Sequence, residues 1–274
     1  MCNFAAMTEA NDVLFFDYEG SRLAYRKIGH GPATLVAFHG FGQSSHVFWP
    51  IDEAAGHQFT VFAVDLFFHG ESRYVGSQLL TKTNWQRLIG AFLVAQQIDR
   101  FSLMGFSLGG RFALTTVEAF ADRLDQLILI APDGITRTTW YRLATATNAG
   151  RWLFRYGLRH LSALNRIGHA LVQVGLLNRT AMRFAELSLS TSGQRTSVHT
   201  VWTQFRLIVP DLNTVSVLLN RHLVRIQFFT GAFDRIVPGT HILPLTDRLQ
   251  QYELTVLKTG HNHLIELTAE ELGR

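Results

Sequence analysis

The chain has 274 residues, 47% hydrophobic and 17% charged, a balance that excludes an intrinsically disordered protein and allows one large core with a modest insertion. Its single cysteine, Cys2, excludes an internal disulfide and a cysteine-built metal site. The formal net charge is +4, too small to imply a nucleic-acid partner, and it is unevenly placed: from Gly134 to Arg221 eleven arginines stand against one glutamate and one aspartate, a local +9 that leaves −5 elsewhere.

In chain order, the first twenty residues lack the basic and apolar regions of a signal peptide. No apolar run approaches the roughly 20 residues of a membrane helix. The expectation is a cytoplasmic protein without a membrane span, acting on a small molecule and using no metal or organic cofactor.

Val13–Tyr18 and Arg22–Ile28 read as a β-hairpin turning at Glu19-Gly20-Ser21. Six short runs rich in Val, Ile, Leu and Phe follow: Leu35–Phe38, Thr60–Leu66, Phe101–Met104, Leu127–Ile130, Ile226–Thr230 and Leu254–Leu257. Such runs suit strands buried on both faces of a parallel sheet. Asn84–Ile98 and Gly109–Phe120 read as helices between them, and strand–helix alternation predicts an open, mostly parallel α/β sheet flanked by helices.

The alternation stops at Gly134. Trp140–Leu161 and Ala163–Leu177 carry apolar residues at helical spacing with arginines between them, so 134–221 is expected as an inserted helical cap. The sheet and its helices then occupy 1–133 and 222–274. The chain ends at Arg274, early in the expected last helix, which is therefore expected to be short or trimmed.

Four loops at strand ends carry reactive residues. Gly105-Phe106-Ser107-Leu108-Gly109 lies between a strand and a helix, where small flanking residues let the backbone turn sharply and push the Ser107 hydroxyl outward. The helix that follows directs a partial positive charge at that point. His39-Gly40-Phe41-Gly42 follows an earlier strand, and its glycines would let backbone N–H groups approach an oxyanion. Asp234, in Gly231–Pro238, is a carboxylate able to hold an imidazole, and Gly260-His261-Asn262-His263 supplies two imidazoles. His261 is favoured as the base because it follows Gly260 directly after the strand; His263 is its rival.

Taken together, His39–Gly42, Val64–Ser72 (VDLFFHGES), Gly105–Gly110, Gly231–Pro238 and Gly260–Glu266 resemble the α/β-hydrolase fold family, specifically its single-domain members with a helical cap. The resemblance covers nearly the whole chain. It implies Ser107 as nucleophile, Asp234 as acid and His261 as base, with the amides of Phe41 and Leu108 as the oxyanion hole. Asp133 occupies an alternative acid position. Ser107 stands where dehalogenases and epoxide hydrolases of this fold carry Asp, so those activities are disfavoured. Phe67-Phe68-His69-Gly70 departs from the usual arginine-glycine-histidine turn.

The implied cap would shape an acyl pocket with residues drawn from Trp140, Tyr141, Trp152, Phe154, Tyr156, Phe184, Trp202 and Phe205. His39, which braces its loop, Trp152 and Arg155 are the candidate substrate-binding residues. The arginines could cover a solvated face, bind an anionic substrate, or rest on lipid.

The leading expectation is a serine hydrolase of a small or medium carboxylic ester. The alternatives are a carbon–carbon bond hydrolase or lyase of the same fold and a non-catalytic ligand-binding protein.

Overall fold

A computed structural model describes residues 12–76, 79–136, 139–176 and 179–274. Cys2 and the side chains of Trp140 and Phe184 lie outside the described ones.

Eight strands form one sheet: β1 (Leu14–Tyr18), β2 (Ser21–Ile28), β3 (Ala33–Phe38), β4 (Phe59–Val64), β5 (Phe101–Phe106), β6 (Leu124–Ile130), β7 (Arg225–Gly231) and β8 (Glu253–Leu257). Their order is β1-β2-β4-β3-β5-β6-β7-β8. The β1–β2 hairpin and the β2–β4 pair are antiparallel. Every later pair is parallel.

The central strands read as unbroken apolar runs because both faces are covered. All six residues of β5 are buried. One face meets α1 (Trp49–Ala55) and the C-terminal helix, and Met104, Phe106, Ile128 and Ile130 pack there with Ile51, Leu264 and Ile265. On α2 (Lys82–Ala95), which also lies in this unit, Trp85 stands edge-on to Phe38 at 5.2 Å and to Phe112 of α3 (Leu108–Phe120) at 4.8 Å. Trp85 Nε1 donates to Thr116 Oγ1 at 3.0 Å, so the buried indole N–H is satisfied.

Chain order and spatial order part company at β3. From β3 the chain crosses to β4 on one side, then returns to place β5 on the other, with Phe38 in register with Gly105. Loops leaving the C-terminal ends of β3 and β5 therefore diverge over a crevice, the place where open α/β sheets bind ligands.

The chain divides into two compact units, 1–136 with 208–274, and 137–207. The second is helical: α4 (Thr139–Ala146), α5 (Asn148–Arg159), α6 (Leu161–Gln173), α7 (Arg179–Ser188) and α8 (Ser192–Gln204). The stretch Trp140–Leu161, expected as one helix, is two. Thr147 turns extended and its side chain accepts from Gly150 N at 2.9 Å, which ends α4 and caps α5. Gly150 is required there, since a Cβ would lie 2.0 Å from Leu143 O.

The helix α9 (Leu212–Arg221), capped by Asp211, belongs to the first unit and packs on α3. The last helix, α10 (Leu264–Leu272), packs on α1.

The tightest approach in the sheet unit is at Gly109, where a Cβ would fall 1.9 Å from the Phe38 carbonyl oxygen. Gly109→Ala must push α3 away from β3. It is expected to lower stability by about 3 kcal/mol, the upper range of overpacking, or roughly 6–12 °C in Tm for a chain of this size. A thermal melt within about 2 °C of wild type would contradict this packing.

Candidate active site

Ser107 joins β5 to α3 with φ 49° and ψ −116°, a conformation that L side chains rarely adopt. The surroundings hold it there. Its N–H donates to Ile130 O at 2.9 Å, and its carbonyl accepts from Gly110 N at 2.9 Å and Asp133 N at 2.8 Å. The glycines of the motif are explained by what a side chain would strike: at Gly105, Gly110 Cα at 2.7 Å; at Gly110, Pro132 Cβ at 2.6 Å. The turn projects the Ser107 side chain off the C-terminal end of the sheet.

Two neighbouring strand ends deliver the partners. His261, after β8, places Nε2 3.1 Å from Ser107 Oγ and Nδ1 2.7 Å from Asp234 Oδ2. Asp234, after β7, is almost wholly buried, and its Oδ1 accepts from Ile236 N at 2.8 Å and Val237 N at 2.9 Å. Both carboxylate oxygens are thus committed, which fixes the plane presented to the imidazole. Phe106 stacks on the His261 ring at 5.1 Å. Those contacts leave the imidazole able to relay a proton from the serine while its far nitrogen stays oriented.

Leu108 is the first residue of α3, so its N–H has no acceptor within the helix and lies at the positive end of the helix dipole. Phe41 lies between Gly40 and Gly42, the latter at φ 72°. Gln43 ties the loop: its Oε1 accepts from Gly40 N at 3.0 Å.

His39 is fully buried, and backbone groups take both of its ring nitrogens. Nε2 accepts from Leu66 N at 3.0 Å, so the proton resides on Nδ1, which donates to Gly40 O at 2.7 Å. That corrects one expectation: no ring nitrogen of His39 is left for a substrate, and the side chain instead joins the β3 loop to the β4 loop. Burial, then the neighbouring His69, pushes its pKa down to about 3, which keeps the ring neutral. His69 is lowered as well, first by burial. Its ring stands edge-on to His39 at 5.1 Å and to Phe41 at 5.7 Å.

Asp65, which the motif reading passed over, organises this neighbourhood. Its Oδ1 accepts from Ser45 N at 2.6 Å and its Oδ2 from Glu71 N at 3.0 Å. Gly70, at φ 49°, leaves room for that carboxylate, since a Cβ would sit 1.9 Å from Asp65 Oδ2. Ser72 Oγ donates to Asp65 O and accepts from Ala24 N, both at 2.7 Å. The signal for Asp65 lay in the run Val64–Ser72, and that for Gln43 only in its nearness to Gly40–Gly42.

The rivals stand elsewhere. His263 is exposed at the start of α10. Asp133 is ion-paired with Arg111 and accepts from Gly134 N at 2.7 Å, so its carboxylate is occupied. Trp152 and Arg155 lie on α5 in the second unit. There Trp152 stacks on Tyr156 at 5.6 Å and Arg155 Nε lies 3.4 Å from His199 Nε2. Among the described residues no cluster of His, Cys, Asp and Glu could hold a metal ion, and no helix is long and apolar enough to cross a membrane.

The sequence matches the family model described as alpha/beta hydrolase fold over residues 33–266. It is 33% identical over 125 residues to an uncharacterized protein of Mycobacterium tuberculosis, covering 45% of this chain and 36% of that one. It is also 33% identical over 109 residues to the pimeloyl-[acyl-carrier protein] methyl ester esterase of Aliivibrio salmonicida, covering 40% of this chain and 39% of that enzyme. These matches span little more than a third of the relatives' own length.

Solved structures align along almost the whole chain. A membrane phospholipase A described as a bacterial virulence factor gives a TM-score of 0.66 at 18% identity, covering 97% of this chain and 87% of that one. The meta-cleavage product hydrolase of Pseudomonas fluorescens gives 0.65 at 18% identity, with 97% and 96% covered. At that identity the likeness is one of fold.

The His39 geometry has a consequence for pH. Unfolding releases an imidazole that takes a proton near its ordinary 6.5, whereas the folded ring resists protonation down to about 3. The stabilisation is therefore complete above 6.5 and is lost as pH falls from there toward 3. His39→Gln is expected to cost about 2 kcal/mol at pH 7.5. It should also flatten the fall in unfolding free energy between pH 6 and 4 by up to about 1.4 kcal/mol per pH unit. Denaturant melts across that range check this, and parallel curves for the two proteins would refute it.

Proposed function

The chain belongs to the α/β-hydrolase fold family, and from that premise we propose that it is a serine hydrolase acting on a small or medium carboxylic ester. The observation that supports this reading is the continuous hydrogen-bonded line from Ser107 Oγ through His261 to Asp234, 3.1 Å and 2.7 Å long. Nucleophile, base and orienting acid are at the distances acyl transfer needs.

In this mechanism His261 takes the Ser107 proton as Oγ attacks the ester carbonyl. The oxyanion of the tetrahedral intermediate is held by the backbone amides of Leu108 and Phe41. Asp234 keeps the His261 ring aligned and stabilises the imidazolium. His261 then protonates the departing alcohol, leaving an acyl-serine. A water molecule, deprotonated by His261, attacks the acyl group, and collapse of the second intermediate returns the proton to Ser107 and releases the acid. Each step balances with no metal or organic cofactor.

An ester substrate is favoured over a carbon–carbon substrate by the esterases among the partial relatives, which share a third of their residues with this chain over the matched segment. In this reading residues 137–207 are the inserted helical segment of the family's capped members. The site of action is cytoplasmic.

The test is hydrolysis of p-nitrophenyl esters of graded acyl length. Ser107→Ala is expected to lower kcat by at least about 1,000-fold, and Asp234→Asn by about 10,000-fold through the wrong imidazole tautomer. His263→Ala and Asp133→Asn should stay within about tenfold of wild type if His261 and Asp234 carry the chemistry. Wild-type turnover that survives Ser107→Ala would overturn the proposal. A wild type inert on every ester but active on a vinylogous diketone would transfer the same residues to carbon–carbon cleavage.

A further inference from the structure

The second unit hides one apolar side and displays another. On α5 the inner side is packed: Leu158 is buried, and Phe154 stacks on Trp202 at 5.1 Å and on His199 at 5.9 Å. The outer side of the same helix is not polar. Trp152, Leu153 and Tyr156 are each half exposed or more, and the Trp152, Tyr156 and His160 rings lie against one another along it. An exposed helix face would ordinarily carry charged residues.

The stripe continues on α6 and just beyond it. Ile167 and Val174 are more than half exposed, and together with Leu164 they recur at three- and seven-residue steps, one side of a helix. Leu164 comes within 3.8 Å of the Cβ position of Gly157 on α5, so the two outer stripes run into one surface.

Charge says what this surface meets. Residues 137–207 hold ten arginines, no lysine and one glutamate, a formal +9. The glutamate, Glu186, is already engaged by His169 at 2.9 Å. Arg155 and Arg159, three and seven residues after Trp152, flank the aromatic stripe on α5 and are exposed. The rest of the chain carries −5. A second copy would bring +9 against +9, which disfavours self-association through this face. An anionic surface would attract this unit and repel the other.

We infer that the outer face of α5 and α6 docks on an anionic lipid surface, with Trp152, Leu153, Tyr156 and Ile167 entering the headgroup boundary and the flanking arginines pairing with phosphates. Trp and Tyr rings are amphipathic and settle at such boundaries. Arginine stems lie along apolar surface while the guanidinium stays at phosphate level. Helices of this kind lie flat and enter by roughly 5–10 Å, so no spanning segment is needed. Lipid docking is independent of the reaction at Ser107.

The experiment is co-sedimentation of the full chain with vesicles of phosphatidylcholine alone and of phosphatidylcholine mixed with phosphatidylglycerol. Binding is expected to the mixed vesicles, at least about tenfold weaker to the neutral ones, and falling steeply between 50 and about 500 mM salt. Arg155→Gln and Arg159→Gln should each weaken it by about fivefold. Leu153→Glu combined with Ile167→Glu should abolish it, and an unchanged circular dichroism melt will show that these exposed substitutions leave the fold intact. Equal binding to both vesicle types, wild-type binding by the double variant, or a concentration-dependent dimer with no vesicle binding would each overturn the inference. Sedimentation requires no turnover, so a failed ester assay leaves it standing.

Discussion

A serine forced into a left-handed backbone conformation is the constraint around which the sheet unit is arranged. At φ 49° Ser107 is held at a cost of about 1–3 kcal/mol, and neighbours with little freedom to relax sustain it. Gly105 faces Gly110, Gly109 rests against the backbone of β3, and Gly110 rests against Pro132. The strand before and the helix after can then lie almost in contact, and the sharpness of the turn between them is what lifts the hydroxyl clear of the sheet. The same crowding starts α3 immediately after Ser107, so a single steric arrangement turns the Ser107 side chain off the sheet and leaves the Leu108 amide without an acceptor in its own helix.

The other reactive groups arrive by topology. His261 and Asp234 leave β8 and β7, which lie beyond β6 from the elbow, and the loop of Phe41 leaves β3 on the opposite side. Their convergence depends on a second layer of polar contacts buried below. Asp65 gathers the amides of Ser45 and Glu71, Ser72 bridges β2 to the β4 loop, and His39 links Gly40 to Leu66. In a region of low dielectric a neutral His39 satisfies both neighbours, whereas a protonated one would set two N–H donors against each other at Leu66. The loop that carries Phe41 is therefore stiffened by a group whose charge state follows from burial.

Charge is divided between the two units as distinctly as secondary structure is. The sheet unit carries acidic excess, and several of its arginines are ion-paired, as Arg22 is with Asp17, Arg100 with Asp125 and Arg225 with Glu253. The helical unit has one carboxylate for ten arginines, so most of its guanidinium groups have no carboxylate within the unit to answer them. Together with tryptophan and leucine on an outer helix face, that imbalance gives the unit a surface chemistry unlike that of the sheet beside which it is encoded.

Much of this was legible from the residues in order. Period and composition located every strand of the sheet to within three residues at either end, because strands covered on both faces must be apolar throughout, and the elbow declared itself through glycines spaced around one serine at a strand end. The family likeness likewise named Asp234 and His261. The sequence favoured His261 over His263 only by its place directly after Gly260, and did not reveal that Thr147 would break a long apolar stretch into two helices. It also passed over Asp65 and Gln43, whose side chains act on backbone amides remote or irregular in sequence. Those outcomes were decided by tertiary structure, since which imidazole reaches Ser107 and which carboxylate is already occupied by Arg111 depend on distances between strand ends that local pattern does not encode.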